Sequence, residues 1–305
     1  MTSEINSLPL SLDHQELIES FWGPLRVNEN LYFAEYSFAN VYLFRKQHGY
    51  KLITTNPPFV AGVEPELNIP YLIPTQPPEK LHLDVLNKAA EALLSSEAFS
   101  SADNKNLYLY PCPDHWLPRM NSTISSSRSE TDYLFKANKL KTFGGRALSS
   151  RRNLLHQLEA HHTLESKILG EKEQGDAITV LDQWQREVST TKESNDYYPC
   201  KESIERMDRL KLFGRITYAD GHPIGFTIGE LLSPQTALLH MTKSTHAIKG
   251  VTPFLYQDFA LHLPESVEWI NLEQDLGIPS LRQAKSAYDP DLLLTKWHVK
   301  RHGSK

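Results

Sequence analysis

The sequence predicts an α/β (α+β) protein built from two domains, and three observations lead there. The chain has 305 residues with 40% hydrophobic and 23% charged side chains, enough to bury a core and long enough for about two domains. The second half orders its elements as helices, three meandering strands, a helix, a strand, a helix and a strand, which is the order of a mixed sheet flanked by helices. Charge is split along the chain. Residues 1–130 carry 9 basic and 15 acidic side chains and residues 131–305 carry 23 and 22, so the two halves present different surfaces. The Ser-rich stretch from Asn121 to Glu130 reads as a linker or exposed loop. It sets provisional domains of 1–125 and 126–305.

In the first half, Ser11 to Phe21 has helical spacing, and Tyr36 to Arg45 fits helix or strand equally. Seven prolines within residues 52–79 forbid a regular helix there and leave short strands with turns. Leu81 to Ser96 reads as an amphipathic helix with Leu86, Ala89, Ala90 and Leu93 on one face, and Asn106 to Tyr110 as a strand. In the second half, Asp132–Leu140, Ser149–His161, Asp176–Glu187 and Lys201–Leu212 read as helices. Strands follow at Gly214–Tyr218, Ile224–Leu231 and Thr236–Lys243, the first two joined by an Asp220-Gly221 hairpin turn. A helix is expected over Gly250–Leu263, a strand over Val267–Leu272, a short helix over Ser280–Ala287 and a last strand over Leu292–Val299.

Several function classes are excluded or weakened. No run approaches the roughly 20 apolar residues that span a bilayer, and Met1 to Leu10 lacks the pattern of a secretory signal. The two cysteines, Cys112 and Cys200, show no metal or redox spacing and read as free thiols of a cytoplasmic protein. No metal site is expected. A net charge of −5 argues against a chain coated in positive charge for nucleic acid.

Five segments of the second half resemble the family of phosphatidylglycerol lysyltransferase C-terminal-like domains: Leu140–Asn153 (LKTFGGRALSSRRN), Pro223–Glu230 (PIGFTIGE), His240–Thr245 (HMTKST), Ile248–Gly250, and Asn271–Gly277 with Leu281–Pro290 (NLEQDLG…LRQAKSAYDP). In the first half Glu35–Arg45 looks like the family's opening motif. The resemblance is patchy over residues 46–125 and fairly continuous from 132 to 300. It implies two GNAT-like domains in tandem, each a mixed, mostly antiparallel sheet flanked by helices, similar to the Fem-type aminoacyl transferases. It also implies transfer of an acyl or aminoacyl group to an amine or hydroxyl. The donor substrate would be aminoacyl-tRNA or acyl-CoA, with no tightly bound cofactor. The partners implied are tRNA and a small-molecule, peptide or lipid acceptor. A binding module that keeps the GNAT fold without catalysis is the alternative.

Acyl transfer needs a held donor, a deprotonated acceptor and hydrogen-bond donors for the developing oxyanion. Asn271, Glu273 and Asp275 alternate, so on a strand they share one face. Glu273 or Asp275 is the candidate general base, although Asp275 equally fits a helix cap and the other two fit backbone partners. Arg282 and Lys285 share a helical face; they suit a carboxylate or phosphate of the substrate, or an internal salt bridge with the same acids. His240 and Lys243 near the end of a strand, and Tyr288, complete the substrate-binding candidates. Lys249 and Gly250 occupy the strand-to-helix turn that in GNAT folds receives the donor's pyrophosphate, but one glycine and Pro253 stand where the usual loop has two glycines. The run from Lys136 to Arg152 holds six basic residues and no acidic one. Within it Arg146, Arg151 and Arg152 are candidate contacts for donor phosphates or an anionic surface, or simply a solvated face.

Overall fold

The computed structural model describes residues 5–64, 69–95, 107–120 and 124–300. The chain divides into one unit of Met1–Asp132 with Leu294–Lys305 and a second of Tyr133–Leu293. Among the described residues, each unit carries a seven-stranded sheet.

The first unit opens with β1 (Ser7–Pro9) and α1 (Gln15–Glu29), which turns Ile18, Trp22 and Leu25 into the core. The ambiguous aromatic segment resolves as a helix, α2 (Phe38–Leu43), every residue of which is buried. Ser37 starts it by accepting a bond from the Asn40 amide at 3.0 Å, an N-cap of the usual kind. The proline-rich stretch supplies β2 (Lys51–Ile53), β3 (Phe59–Glu64) and β4 (Ile69–Ile73). Next come α3 (Leu83–Leu94), burying Ala89, Ala90 and Leu93, and β5 (Tyr108–Cys112). The Ser-rich stretch is not loop throughout: Ile124–Ser126 forms an edge strand, β6.

The helix expected over Asp132–Leu140 is not continuous. Asp132–Lys136 is a strand, β7, and only Ala137–Thr142 is helix, α4. Four of the five β7 residues are buried. A strand covered on both faces shows a continuous apolar run, which periodicity cannot separate from a helix. There follow α5 (Ser149–His161), an edge strand absent from the expectations, β8 (Leu164–Ile168), and α6 (Gln174–Glu187). The helix expected over Lys201–Leu212 lies earlier, as α7 (Tyr197–Glu205). The meander is β9 (Phe213–Ala219), β10 (His222–Ser233) and β11 (Thr236–Ser244). It is followed by α8 (Val251–Leu261), β12 (Trp269–Asn271) and α9 (Pro279–Ser286). The single strand expected over Leu292–Val299 is two, β13 (Leu292–Leu294) and β14 (Trp297–Lys300), and they join different sheets.

The first sheet runs β1-β2-β3-β4-β5-β14-β6 and the second β13-β7-β12-β11-β10-β9-β8. Both share one plan: an antiparallel meander, then a parallel pair, β4 with β5 and β11 with β12, and then an antiparallel strand, β14 or β7. Each parallel pair is joined by a helix, α3 or α8, as parallel connections require. Behind the second sheet, Tyr133, Phe135, Leu140, Leu239, Phe259 and Ile270 form one cluster with Tyr288. Each fully buried side chain of this size contributes about 2 kcal/mol.

The backbone of β14 is anchored by its neighbour Lys296, whose side chain is wholly buried in the first unit. Its Nζ lies 2.7 Å from Glu35 Oε1 and 2.7 Å from Asp132 Oδ1. The Tyr110 hydroxyl also donates to Glu35 Oε1, at 3.2 Å.

Gly250 caps α8 at φ +90°, and an added Cβ would collide with the Leu154 carbonyl of α5. Only glycine takes that conformation freely. Gly250→Ala is therefore expected to destabilise the protein by about 2 kcal/mol. Urea unfolding measures this; an unchanged midpoint would show that α5 and α8 do not meet there.

Candidate functional site

The second unit's parallel ladder between β11 and β12 ends at Leu238–Asn271, whereas β11 continues to Ser244. In the other direction β11 pairs with β10. Ile228 faces Met241 and Gly229 faces Leu239, so His240 is the extra residue of a β-bulge. A bulge re-aims the side chain it carries. Gly229 makes the close approach possible, since a Cβ there would meet the Leu238 carbonyl and the Phe259 ring.

The His240 side chain is fully buried and lies between two carboxylates. Its Nδ1 is 2.7 Å from Glu273 Oε1 and its Nε2 is 3.0 Å from Glu230 Oε1. Each nitrogen faces a carboxylate oxygen, an arrangement that favours the imidazolium, which donates on both sides. Burial opposes that charge, but the bonds to Glu230 and Glu273 outweigh it and raise the pKa to about 10. The two glutamates keep 15% of their side-chain surface. Glu273 itself sits at φ +60°. Its amide donates to Asn271 Oδ1 at 2.6 Å, and its carbonyl accepts from the Tyr133 amide at 3.2 Å. Asn271, fully buried, thus shapes the turn that delivers Glu273 to His240.

Asp275 is differently placed. It is buried and accepts from the Tyr133 hydroxyl (2.6 Å), Arg282 Nε (2.8 Å) and Nη2 (3.0 Å), and the Gly277 amide (2.9 Å). Burial would raise its pKa, but the Arg282 bonds, the tyrosine hydroxyl and the amide bring it down to about 2. Lys285, also buried, donates to the carbonyls of Leu272 (2.6 Å) and Gln274 (2.5 Å). Arg282 and Lys285 share a helical face, as their spacing predicts, and both hold the Leu272–Asp275 segment in place.

The remaining candidates lie elsewhere in the unit. Lys243 donates to both oxygens of Asp196 (2.6 and 2.8 Å) and lies 3.6 Å from the Trp184 ring centroid. Tyr288 packs in the core against Tyr256 and Phe143, with the Arg151 guanidinium 5.1 Å from its ring; burial raises its pKa. Arg152 donates to the carbonyls of Phe143 and Gly145, and Lys139 lies 3.0 Å from Asp291. Part of the basic run is thus engaged within the fold, while Arg146 is exposed. Lys249 is exposed at the start of α8, where Pro253 removes one of the free first-turn amides. No local sequence pattern marks Glu230, Tyr133 or Asp196 as part of these arrangements. Glu230 stands at the end of a segment quoted for the resemblance, but only the bulged register of β10 and β11 brings it to His240.

Both cysteines are free and buried. Among the described residues, no group of three or more His, Cys, Asp or Glu is placed to hold a metal ion, and no helix is long and apolar enough to cross a membrane.

Comparison with known proteins agrees with this architecture. No curated protein matches the chain by sequence. A conserved protein of unknown function from Bacteroides thetaiotaomicron superposes with a TM-score of 0.80 at 18% identity, over 98% of this chain and 100% of that one. The C-terminal domain of a protein assigned as a lysylphosphatidylglycerol synthetase from Agrobacterium fabrum gives 0.61 at 15%, over 96% and 93%. A tandem GNAT protein from the clavulanic acid biosynthesis pathway gives 0.51 at 11%, over 99% and 100%. At these identities the likeness is one of fold, two GNAT domains in tandem. The family model "Phosphatidylglycerol lysyltransferase, C-terminal" matches residues 29–300, and the chain belongs to that family.

Proposed function

We propose that the protein is an acyl or aminoacyl transferase that moves the aminoacyl group of an aminoacyl-tRNA, or the acyl group of an acyl-CoA, to an amine or hydroxyl acceptor. The observation that carries this reading is the Glu230–His240–Glu273 trio at the point where the β11–β12 ladder ends. Family membership and fold are consistent with such a transfer. In this reading Glu273 is the general base. The acceptor nitrogen or oxygen bonds to the donor's carbonyl carbon and its proton passes to Glu273. The ester C–O or thioester C–S bond breaks, and the proton leaves with the tRNA hydroxyl or the thiol. His240 holds Glu273 in position. Asp275, already bonded to Arg282 and Tyr133, is a positioning residue.

Charged tRNA pools and acyl-CoAs, each tested for binding and turnover at low salt, decide the matter. Saturable binding and transfer from one donor class is the expected result; no binding to either ends the reading. A second reading, a binding module without catalysis, is favoured by the closed pairs Lys243–Asp196 and Asp275–Arg282. It predicts donor binding with no turnover in the same assay.

A further inference from the structure

The first turn of α5 holds Ser149, Ser150, Arg151 and Arg152 and no acidic residue. Cations thus gather at the positive end of a helix, where an anion would be favoured. Arg151 is the one that meets the core. Its guanidinium carbon lies 5.1 Å from the centroid of the Tyr288 ring, and its Nε is buried with no hydrogen-bond acceptor. The ring face offsets part of the charge. It gives Nε–H no acceptor in line, and a buried donor left unfilled is costly. Arg215 and Arg282 of the same unit each pair with an aspartate. Arg151 makes no ion pair among the described residues.

Two hydroxyls belong to the same cluster. Tyr288 is 4% exposed, and Tyr256 of α8 packs edge-on against it with ring centroids 5.0 Å apart. The electrostatic neighbours of the Tyr288 hydroxyl are Tyr256 and Arg151. Neither tyrosine hydroxyl makes a hydrogen bond among the described residues. One unfilled guanidinium donor and two unpaired hydroxyls therefore sit around one ring.

The surroundings are fixed in advance. Phe143, 5.9 Å from the Tyr288 ring, is held in the left-handed region at φ +45°. Arg152 keeps it there by donating to the carbonyls of Phe143 and Gly145. Gln257, next to Tyr256 on α8, donates to the Lys141 carbonyl at 2.8 Å and ties α8 to the end of α4. Asp289, the acid beside Tyr288 in sequence, is turned to Lys139 at 3.3 Å. A guanidinium flanked by hydroxyl donors and an aromatic wall suits a carboxylate or phosphate, which accepts several such bonds at once. A compact group reaches a buried Nε; an extended polyanion lying across the surface does not.

We propose that Arg151, with the hydroxyls of Tyr256 and Tyr288, binds the terminal oxyanion of a small ligand, a carboxylate or a phosphate. The site uses none of Glu230, His240 and Glu273, so it stands or falls apart from the transferase reading.

The test titrates the isotope-labelled full chain with inorganic phosphate and, separately, with acetate at constant ionic strength. NMR reads the Nε–H resonance of Arg151 and the backbone amides. A saturable shift of that resonance is expected, with shifts at Phe143 and at Leu148–Arg152. Saturation by phosphate alone assigns a phosphate ligand, and saturation by acetate a carboxylate. Arg151→Gln should weaken binding at least about tenfold. Tyr256→Phe, which keeps the ring and removes only the hydroxyl, should weaken it about threefold or more. Lys88→Gln, an exposed cation of the first unit, should leave it unchanged. No saturable shift with either anion, binding that Arg151→Gln retains, or shifts produced only by an RNA oligonucleotide overturns the proposal. Because the Nε–H resonance is read on the unaltered chain, a folding defect in a variant would not mask the outcome.

Discussion

Lys296→Met is expected to destabilise the protein by about 3–5 kcal/mol at pH 7, the cost of leaving buried carboxylates without their counter-charge. Lys296 is wholly buried and lies 2.7 Å from both Glu35 and Asp132. Its removal strands two acids in a low-dielectric interior. The loss should depend on pH. Burial lifts the Glu35 carboxyl to about 7, with Lys296 opposing the rise and Asp132 adding to it. A carboxyl raised in the folded state keeps its proton there while the unfolded chain releases it. Its contribution is therefore present below about pH 4.5 and is lost as pH rises through about 7. Without Lys296 the carboxyl rises further, so the deficit should be largest above pH 7 and shrink toward pH 5. Urea unfolding across pH 5–8 measures both effects. A deficit under about 1 kcal/mol that is flat with pH would mean the three side chains are not a coupled buried cluster.

Glu273→Gln should lower turnover about 100-fold or more, the ordinary contribution of a positioned general base, with little change in KM for whichever donor the binding assay identifies. Glutamine keeps the shape and an acceptor for His240 but takes no proton. Glu230→Gln, on the far nitrogen of His240, should cost less. In both variants the imidazolium loses a charged partner, so its pKa should fall from about 10. The sign is that of a raised base: the stability it confers is complete below about 6.5 and fades as pH rises through about 10. NMR titration of the ring follows this directly. If the pKa falls and turnover does not, Glu273 positions His240 and is not the base.

Much of the second unit was legible because its strands alternate around an Asp-Gly turn and its helices are amphipathic. β7 was not, since Tyr133, Leu134, Phe135, Ala137 and Leu140 satisfy helical spacing while the first three in fact fill a strand buried on both faces. Of the candidate site, the sequence brought out Asn271, Glu273, Asp275, Arg282 and Lys285 as a group. Which carboxylate belongs to which cation is decided in three dimensions. Arg282 takes Asp275 and leaves Glu273 to His240. Glu230 enters only through a register shift of one residue, and nothing in local composition marks a bulge. Glu35 stood in a quoted motif, but its partner Lys296 lies 261 positions away, beyond the reach of any pattern argument.

The placing of β14 between β5 and β6 has a consequence for how the chain is made. A ribosome delivers residues 1–132 first, yet their sheet has a vacant lane until Trp297–Lys300 emerge. Residues 133–293 can settle into their own sheet while the earlier segment waits. The part synthesised first is thus the last to be completed, and a nascent chain halted before Lys296 would display an open sheet edge together with two buried acids still lacking their cation.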